Sequence, residues 1–133
     1  MIGVIPSFME PWEVKHKGIQ ECYVTETMHS RKQKMAELAD GVIALPGGFG
    51  TLDELFEMLT WKQLDLHQMP ISILNTNGYY DHLIAQLQHM VDEGFLKLPN
   101  LEALQIETNP EQLVDYIMAY EPEKMEKKWI YRG

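Results

Sequence analysis

The sequence predicts an α/β domain built on a parallel sheet with helices on both faces. Three observations carry that expectation. Strand-like and helix-like segments alternate, their connections are short, and the most apolar strand, Gly41 to Leu45, runs straight into a glycine-rich turn and then a helix. The 133 residues suffice for one modest domain, read as a single unit over 1–133, and the 45% hydrophobic content is ordinary for a globular protein.

Each element follows from local pattern. Ile2-Gly3-Val4-Ile5 is strand-like and ends at Pro6; a chain that opens inside a strand leads us to expect further sequence upstream. Pro6 to Gln20 reads as loop with a short helix near Trp12, and Glu21 to Thr25 as a short strand with Cys22 and Val24 on one face. Thr27 is placed to cap a helix over about His29–Ala39, with Met28, Met35 and Leu38 toward the core. Gly41–Leu45 reads as a strand apolar on both faces, hence buried. A strong helix is predicted from Leu52 to about Leu64, opened by Thr51, with an apolar stripe of Leu52, Leu55, Phe56 and Leu59. Ile71–Leu74 is the next strand and Asn75–Gly78 a turn. Tyr79–Asp92 is helical, with Leu83, Ile84, Leu87 and Val91 inward and Gly94 as the stop. A strand over Leu104–Ile106 and a helix from Pro110 to about Tyr120 follow, and Glu121–Gly133 reads as a loosely packed charged tail.

Composition narrows the function. A formal net charge of −9 disfavours nonspecific binding to nucleic acid polymers or anionic membranes, yet leaves room for one small anion held by local donors. No apolar run is long enough to span a bilayer, and no secretory pattern opens the chain. The lone Cys22 has no disulfide partner within the chain, and no Cys/His cluster suggests zinc. A cytoplasmic protein with neither metal nor cofactor is the simplest reading.

The segment Pro46-Gly47-Gly48-Phe49-Gly50-Thr51 carries the chemistry. It lies between a strand and a helix, where open α/β sheets bind ligands. Glycines let the backbone approach a ligand, a helix start offers free N–H groups, and the Thr51 hydroxyl adds a donor; together these suit a phosphate. The competing reading is that the glycines serve only to make the turn, and the segment is neither a Walker A loop nor the dinucleotide Gly-x-Gly-x-x-Gly pattern. Asp53 and Glu54 read as first-turn acids, which the helix dipole alone favours by roughly 0.3–1 kcal/mol each. A carboxylate beside a phosphate site is unfavourable unless it has a further task. Glu54, Glu57 and Trp61 share one helix face, off the apolar stripe. Arg31, at the start of the preceding helix, faces the same rim in a parallel sheet and suits either Glu54 or a phosphate; a solvated basic patch is the alternative.

Two segments together resemble the LONELY GUY family, long described as possible lysine decarboxylases. Pro46 to Glu54 matches its Pro-Gly-Gly-x-Gly-Thr-x-x-Glu pattern without a gap, and Met28, His29, Arg31, Lys32 and Met35 match a preceding Met-His-x-Arg-Lys-x-x-Met segment. Further likeness runs through Ile2–Pro6, His16–Gly18, Leu59–Leu64, Asn77–Tyr80, Glu93–Phe95 and Lys127–Trp129. The resemblance implies a Rossmann-like fold, usually a homodimer with active sites at the subunit interface. It also implies hydrolysis of a cytokinin riboside 5′-monophosphate, or of AMP, to free base and ribose 5-phosphate. By matching position it makes Arg31 and Glu54 the catalytic pair, Gly47, Gly48, Gly50 and Thr51 the phosphate contacts, and Met28 and Lys32 further substrate contacts. Family members also carry an N-terminal strand-helix-strand-helix segment with a second glycine-rich loop, which this sequence lacks.

Other readings compete. A nucleotide-binding module without catalysis keeps the turn and needs no working Glu54, and an inactive fragment of the enzyme is its limiting case. A pyridoxal-phosphate decarboxylase needs a Schiff-base lysine; Lys32 and Lys62 qualify by residue type only. A structural reading makes the helix from Thr51 to Leu64 chiefly a dimer surface, which is compatible with an enzyme. Met9, Trp12 and Trp61 are candidates to line a pocket for the base, with core packing as their other use.

Overall fold

A parallel ladder organises each of the two units into which the chain divides, Met1–Ala39 and Asp40–Gly133. The computed structural model describes residues 2–6 and 21–120. The expectations for the loop around Trp12 (with Met9) and for the tail beyond Tyr120 lie outside the described residues, as do the side chains of Cys22, Val24 and Met28.

In the first unit, β1 (Ile2–Pro6) pairs in parallel with β2 (Glu21–Thr25), Ile2 opposite Glu21 and Pro6 opposite Thr25. Helix α1 (Met28–Leu38) then starts where Thr27 predicts it. Thr27 Oγ1 accepts from the Ser30 N–H at 3.0 Å and the Thr27 N–H donates to Ser30 Oγ at 2.9 Å, a reciprocal capping box that meets two otherwise unpaired donors. The core-facing assignment fares less well: Met35 is half-buried and Leu38 is 38% exposed.

In the second unit, β3 (Val42–Ala44), β4 (Ile71–Leu74) and β5 (Leu104–Glu107) form a parallel sheet in that order. Ile71, Ser72 and Ile73 have no exposed surface, so β4 is the strand covered on both faces. The same expectation for Gly41–Leu45 is corrected. β3 is an edge of this sheet among the described residues, and only Ala44 is buried, with Ile43 39% and Leu45 57% exposed.

Helices connect the strands. α2 (Phe49–Gln63) buries Leu55, Met58 and Lys62, so its buried stripe is rotated from the predicted Leu52, Leu55, Phe56 and Leu59; of these only Leu55 is fully covered. α3 (Asp81–Asp92) starts two residues later than the pattern suggests. Asn77 and Gly78 take left-handed φ values of 52° and 70°, which interrupt the helical path before Tyr79. Its Leu87 is buried, its Leu83, Ile84 and Val91 are half-buried, and Gly94, at φ 83°, ends it as predicted. A five-residue helix, α4 (Leu98–Glu102), has no counterpart in the sequence reading. α5 (Pro110–Ala119) has Pro110 in its first turn and is capped by Asn109, whose side-chain oxygen accepts from the Glu111 and Gln112 N–H groups at 2.8 and 3.2 Å. It packs on β4 and β5 and buries Leu113, where Leu→Ala would cost about 2–5 kcal/mol.

Strand and helix alternate over parallel strands, so the fold is the predicted α/β, Rossmann-like class. Among the described residues no helix is long and apolar enough to cross a membrane.

Candidate active site

β3 delivers the chain to Leu45 and Pro46, and the two glycines turn it into α2. The helix starts earlier than the apolar pattern suggests: Gly48 is its cap and Phe49 its first residue. Gly50 and Thr51 therefore sit in the first turn, where the N–H groups have no carbonyl within the helix to meet, and Gly48 brings no side chain to cap them. Such a turn presents donors and a partial positive charge to an anion. The Thr51 side chain folds back over the turn, and a Cβ on Gly47 would strike Thr51 Oγ1 and stand 2.9 Å from its Cβ. Positions 48 and 50 are different: nothing lies within 4 Å of where a Cβ would be.

The earlier start corrects the placement of the acids. No acidic residue lies in the first turn of α2; Asp53 and Glu54 fall in its second. Helix-dipole stabilisation fades within the first turn, so it accounts for Glu54 less well than the sequence suggests. Glu54 is half-buried and shares its side of the helix with half-buried Glu57 and Trp61, as the spacing predicts.

Two tyrosines secure the turn from the loop after β4. Tyr79 Oη donates to the Gly47 carbonyl at 2.6 Å and Tyr80 Oη to the Leu45 carbonyl at 2.5 Å. Their rings meet edge to face with centroids 4.9 Å apart. Tyr80 is buried, and its N–H donates to Asn75 Oδ1 at 2.7 Å, while Asn75 Nδ2 donates to Asp81 Oδ1 at 2.9 Å. Desolvation raises the Tyr80 pKa and the adjacent Tyr79 adds to it, against the opposing pull of a backbone hydrogen bond with Gly47. The phenol stays protonated near neutrality and keeps donating. The sequence shows Tyr79 and Tyr80 only as the start of a helix after the Asn75–Gly78 turn and as part of the family likeness, because the contacts span 32 and 35 residues.

Arg31 and Lys32, both half-buried, lie in the first two turns of α1, and the Arg31 N–H bonds the Thr27 carbonyl at 3.0 Å. Met28 is the first residue of that helix. These three belong to the first unit, whereas Gly47, Gly48, Gly50, Thr51 and Glu54 are gathered within ten residues of the second. The turn and Glu54 thus share one continuous strand-turn-helix segment.

A separate cavity of about 300 Å³ opens on another side of α2, lined by Phe56, Leu59, Leu87, Met90, Leu96 and Leu101 among others. It contains no residue of the glycine turn and does not include Glu54. Lys62, which the decarboxylase reading required as a candidate, is only 3% exposed and is engaged by the Met69 carbonyl and the Tyr120 hydroxyl at 2.8 and 3.0 Å.

Comparison with known proteins supplies an independent line. The family described as possible lysine decarboxylase matches residues 1–117. The chain is 42% identical over 123 residues to cytokinin riboside 5′-monophosphate phosphoribohydrolase LOG7 of Arabidopsis thaliana, covering 92% of this chain and 57% of that protein. It is 38% identical over 133 residues to LOG1 of the same plant, covering 97% and 62%. It is 46% identical over 96 residues to a probable phosphoribohydrolase, LOG4, of Oryza sativa subsp. japonica, covering 72% and 42%. The chain spans little more than half the length of LOG7.

Proposed function

We propose a nucleoside 5′-monophosphate phosphoribohydrolase activity, from the premise that the chain belongs to the family described as possible lysine decarboxylase, that of the LONELY GUY proteins. The substrate is a cytokinin riboside 5′-monophosphate or AMP, and the products are the free base and ribose 5-phosphate. The relatives' names support the reaction class, and one structural observation carries the assignment to a site: the uncapped start of α2, with Gly48 and Gly50 open to a ligand, lies one turn from Glu54.

Cleavage of an N-glycosidic bond passes through a state with positive charge on the ribose ring. In the proposed site Gly47, Gly48, Gly50 and Thr51 hold the 5′-phosphate through backbone and hydroxyl donors. That anchor fixes the ribose beside α2 and so limits the geometries the reacting atoms sample. The Glu54 carboxylate then lies against the anomeric carbon, where it stabilises the developing charge and takes a proton from the attacking water. Oxygen from water bonds to that carbon as its bond to the base nitrogen breaks; one water hydrogen stays on the new ribose hydroxyl, and the proton taken by Glu54 passes on through solvent to the departing base, which restores the carboxylate. Arg31 is a poor proton donor at neutral pH, so its part is to orient the nucleotide or Glu54, with Met28 and Lys32 as further contacts.

A homodimer in the cytoplasm completes the proposal. Phe49, 94% exposed at the first position of α2, is the kind of apolar group that a second copy covers beside the site. The experiment is direct: incubate the protein with AMP or a cytokinin riboside 5′-monophosphate and separate the products by chromatography. Free base with an equal amount of ribose 5-phosphate is expected. Nucleotide binding without base release would instead identify a non-catalytic nucleotide-binding module.

A further inference from the structure

We propose that Tyr79 is a positioning residue for the phosphate turn, its hydroxyl holding the Gly47–Gly48 peptide in the orientation that turns the Gly48 N–H toward the bound phosphate. The inference rests on the reading of Gly47 to Thr51 as a phosphate site and adds to it the group that sets its polarity.

The argument starts from the peptide plane. In a trans peptide the C=O and the following N–H point in opposite directions, and no peptide among the described residues is cis. The Gly47 carbonyl is drawn toward Tyr79 Oη at 2.6 Å, so the Gly48 N–H faces away from the tyrosine. Between two glycines this plane has little steric resistance to turning over, because neither residue carries a Cβ. Turned over, it would present a carbonyl oxygen to an anion in place of a donor. A single hydrogen bond on the outer side therefore decides whether the turn attracts or repels a phosphate.

Tyr80 plays a different part. It grips the Leu45 carbonyl, and the next residue is Pro46, which has no N–H to direct at a ligand. Tyr80 is buried and anchors the loop, with Asn75 bonded both to its N–H and to Asp81. The Asn75 N–H in turn donates to the Glu107 carbonyl at 2.7 Å, next to the end of the sheet. Tyr79 stands on this framework, 54% exposed, with only its hydroxyl committed to the turn. Its hydroxyl can be removed without opening the core.

The test compares the full chain with its Tyr79→Phe and Tyr80→Phe variants by calorimetric titration against AMP, inorganic phosphate and adenosine. For Tyr79→Phe, affinity for AMP and phosphate should fall about tenfold, the effect of roughly one lost charge-assisted hydrogen bond, while adenosine binding and melting temperature hold. In turnover, KM for AMP should rise and kcat stay level. In the free protein the Gly48 amide resonance should shift in Tyr79→Phe. Tyr80→Phe should chiefly lower the melting temperature. Unchanged AMP and phosphate affinity in Tyr79→Phe, or equal weakening of AMP and adenosine, would overturn the proposal while leaving the site intact. A wild-type protein that binds neither AMP nor phosphate would overturn the site reading itself and this inference with it. The Gly48 resonance then still reports whether the tyrosine holds the peptide.

Discussion

Lys62 Nζ donates to the Tyr120 hydroxyl at 3.0 Å and lies 4.8 Å from the centre of the Tyr120 ring, tying the buried side of α2 to the residue that ends α5. With the bond to the Met69 carbonyl, two of the three ammonium protons are met in a place almost closed to water. Removing the lysine side of such an arrangement leaves the Met69 carbonyl and the phenol without their partner. Lys62→Met should therefore destabilise the protein by about 1–3 kcal/mol despite its better match to an apolar surrounding. Thermal unfolding should show a loss of several degrees, and an unchanged melting temperature would mean that the lysine is incidental. Because Lys62 is used structurally, the variant should change AMP turnover far less than stability.

His67 sets a pH limit on the loop between α2 and β4. The Met69 N–H donates to His67 Nδ1 at 3.1 Å, so Nδ1 is unprotonated and Nε2 carries the proton that it gives to the Met58 carbonyl at 2.8 Å. A second proton would displace the Met69 N–H. Burial lowers the His67 pKa from 6.5, the Met58 carbonyl opposes that, and the positive Lys62 adds to the lowering. A lowered folded-state pKa means that the unfolded chain binds the proton first. The contribution is whole above pH 6.5 and is lost as pH falls from there through the folded value. Melting temperature should decline between pH 7.5 and pH 5, and His67→Gln should decline less over the same interval. Parallel slopes for the two proteins would count against the assignment.

Gly50 offers a separation of stability from binding. It lies in the first turn of α2 with open space where a Cβ would be, so Gly50→Ala should leave the free protein as stable or raise it by up to about 1 kcal/mol. If the open space is where the phosphate rests, the same methyl group should weaken AMP binding by about tenfold or more. A variant both more stable and equally good at binding AMP would place the phosphate elsewhere.

Much of this organisation is legible in the sequence, for physical reasons that differ by element. Ile71–Leu74 is bounded by Pro70 and by a polar turn, so its limits are sharp, and Thr27 and Pro110 mark helix starts by their own chemistry. The start of α2 is obscure because its cap is Gly48, a residue that signals a turn and brings no capping side chain. That shifted the first turn by three residues and placed Glu54 a turn too early. The buried role of Lys62 is not legible in the sequence, because a lysine reads as solvated unless its partners are known, and Tyr120 is 58 residues away. The tyrosine grip on the glycine turn is likewise a matter of distant contacts, whereas the turn itself is written in consecutive residues. The short α4 carries too few residues for a period to show.

Glu54→Gln is the measurement that bears most directly on the chemistry, because it removes the charge and keeps the shape. AMP affinity should stay within about twofold of the parent while base release falls by about a hundredfold or more, the range for losing a positioned acid–base group. Release of adenine at the parent rate, with the turn still holding AMP, would contradict the account and leave the carboxylate no part in breaking the bond.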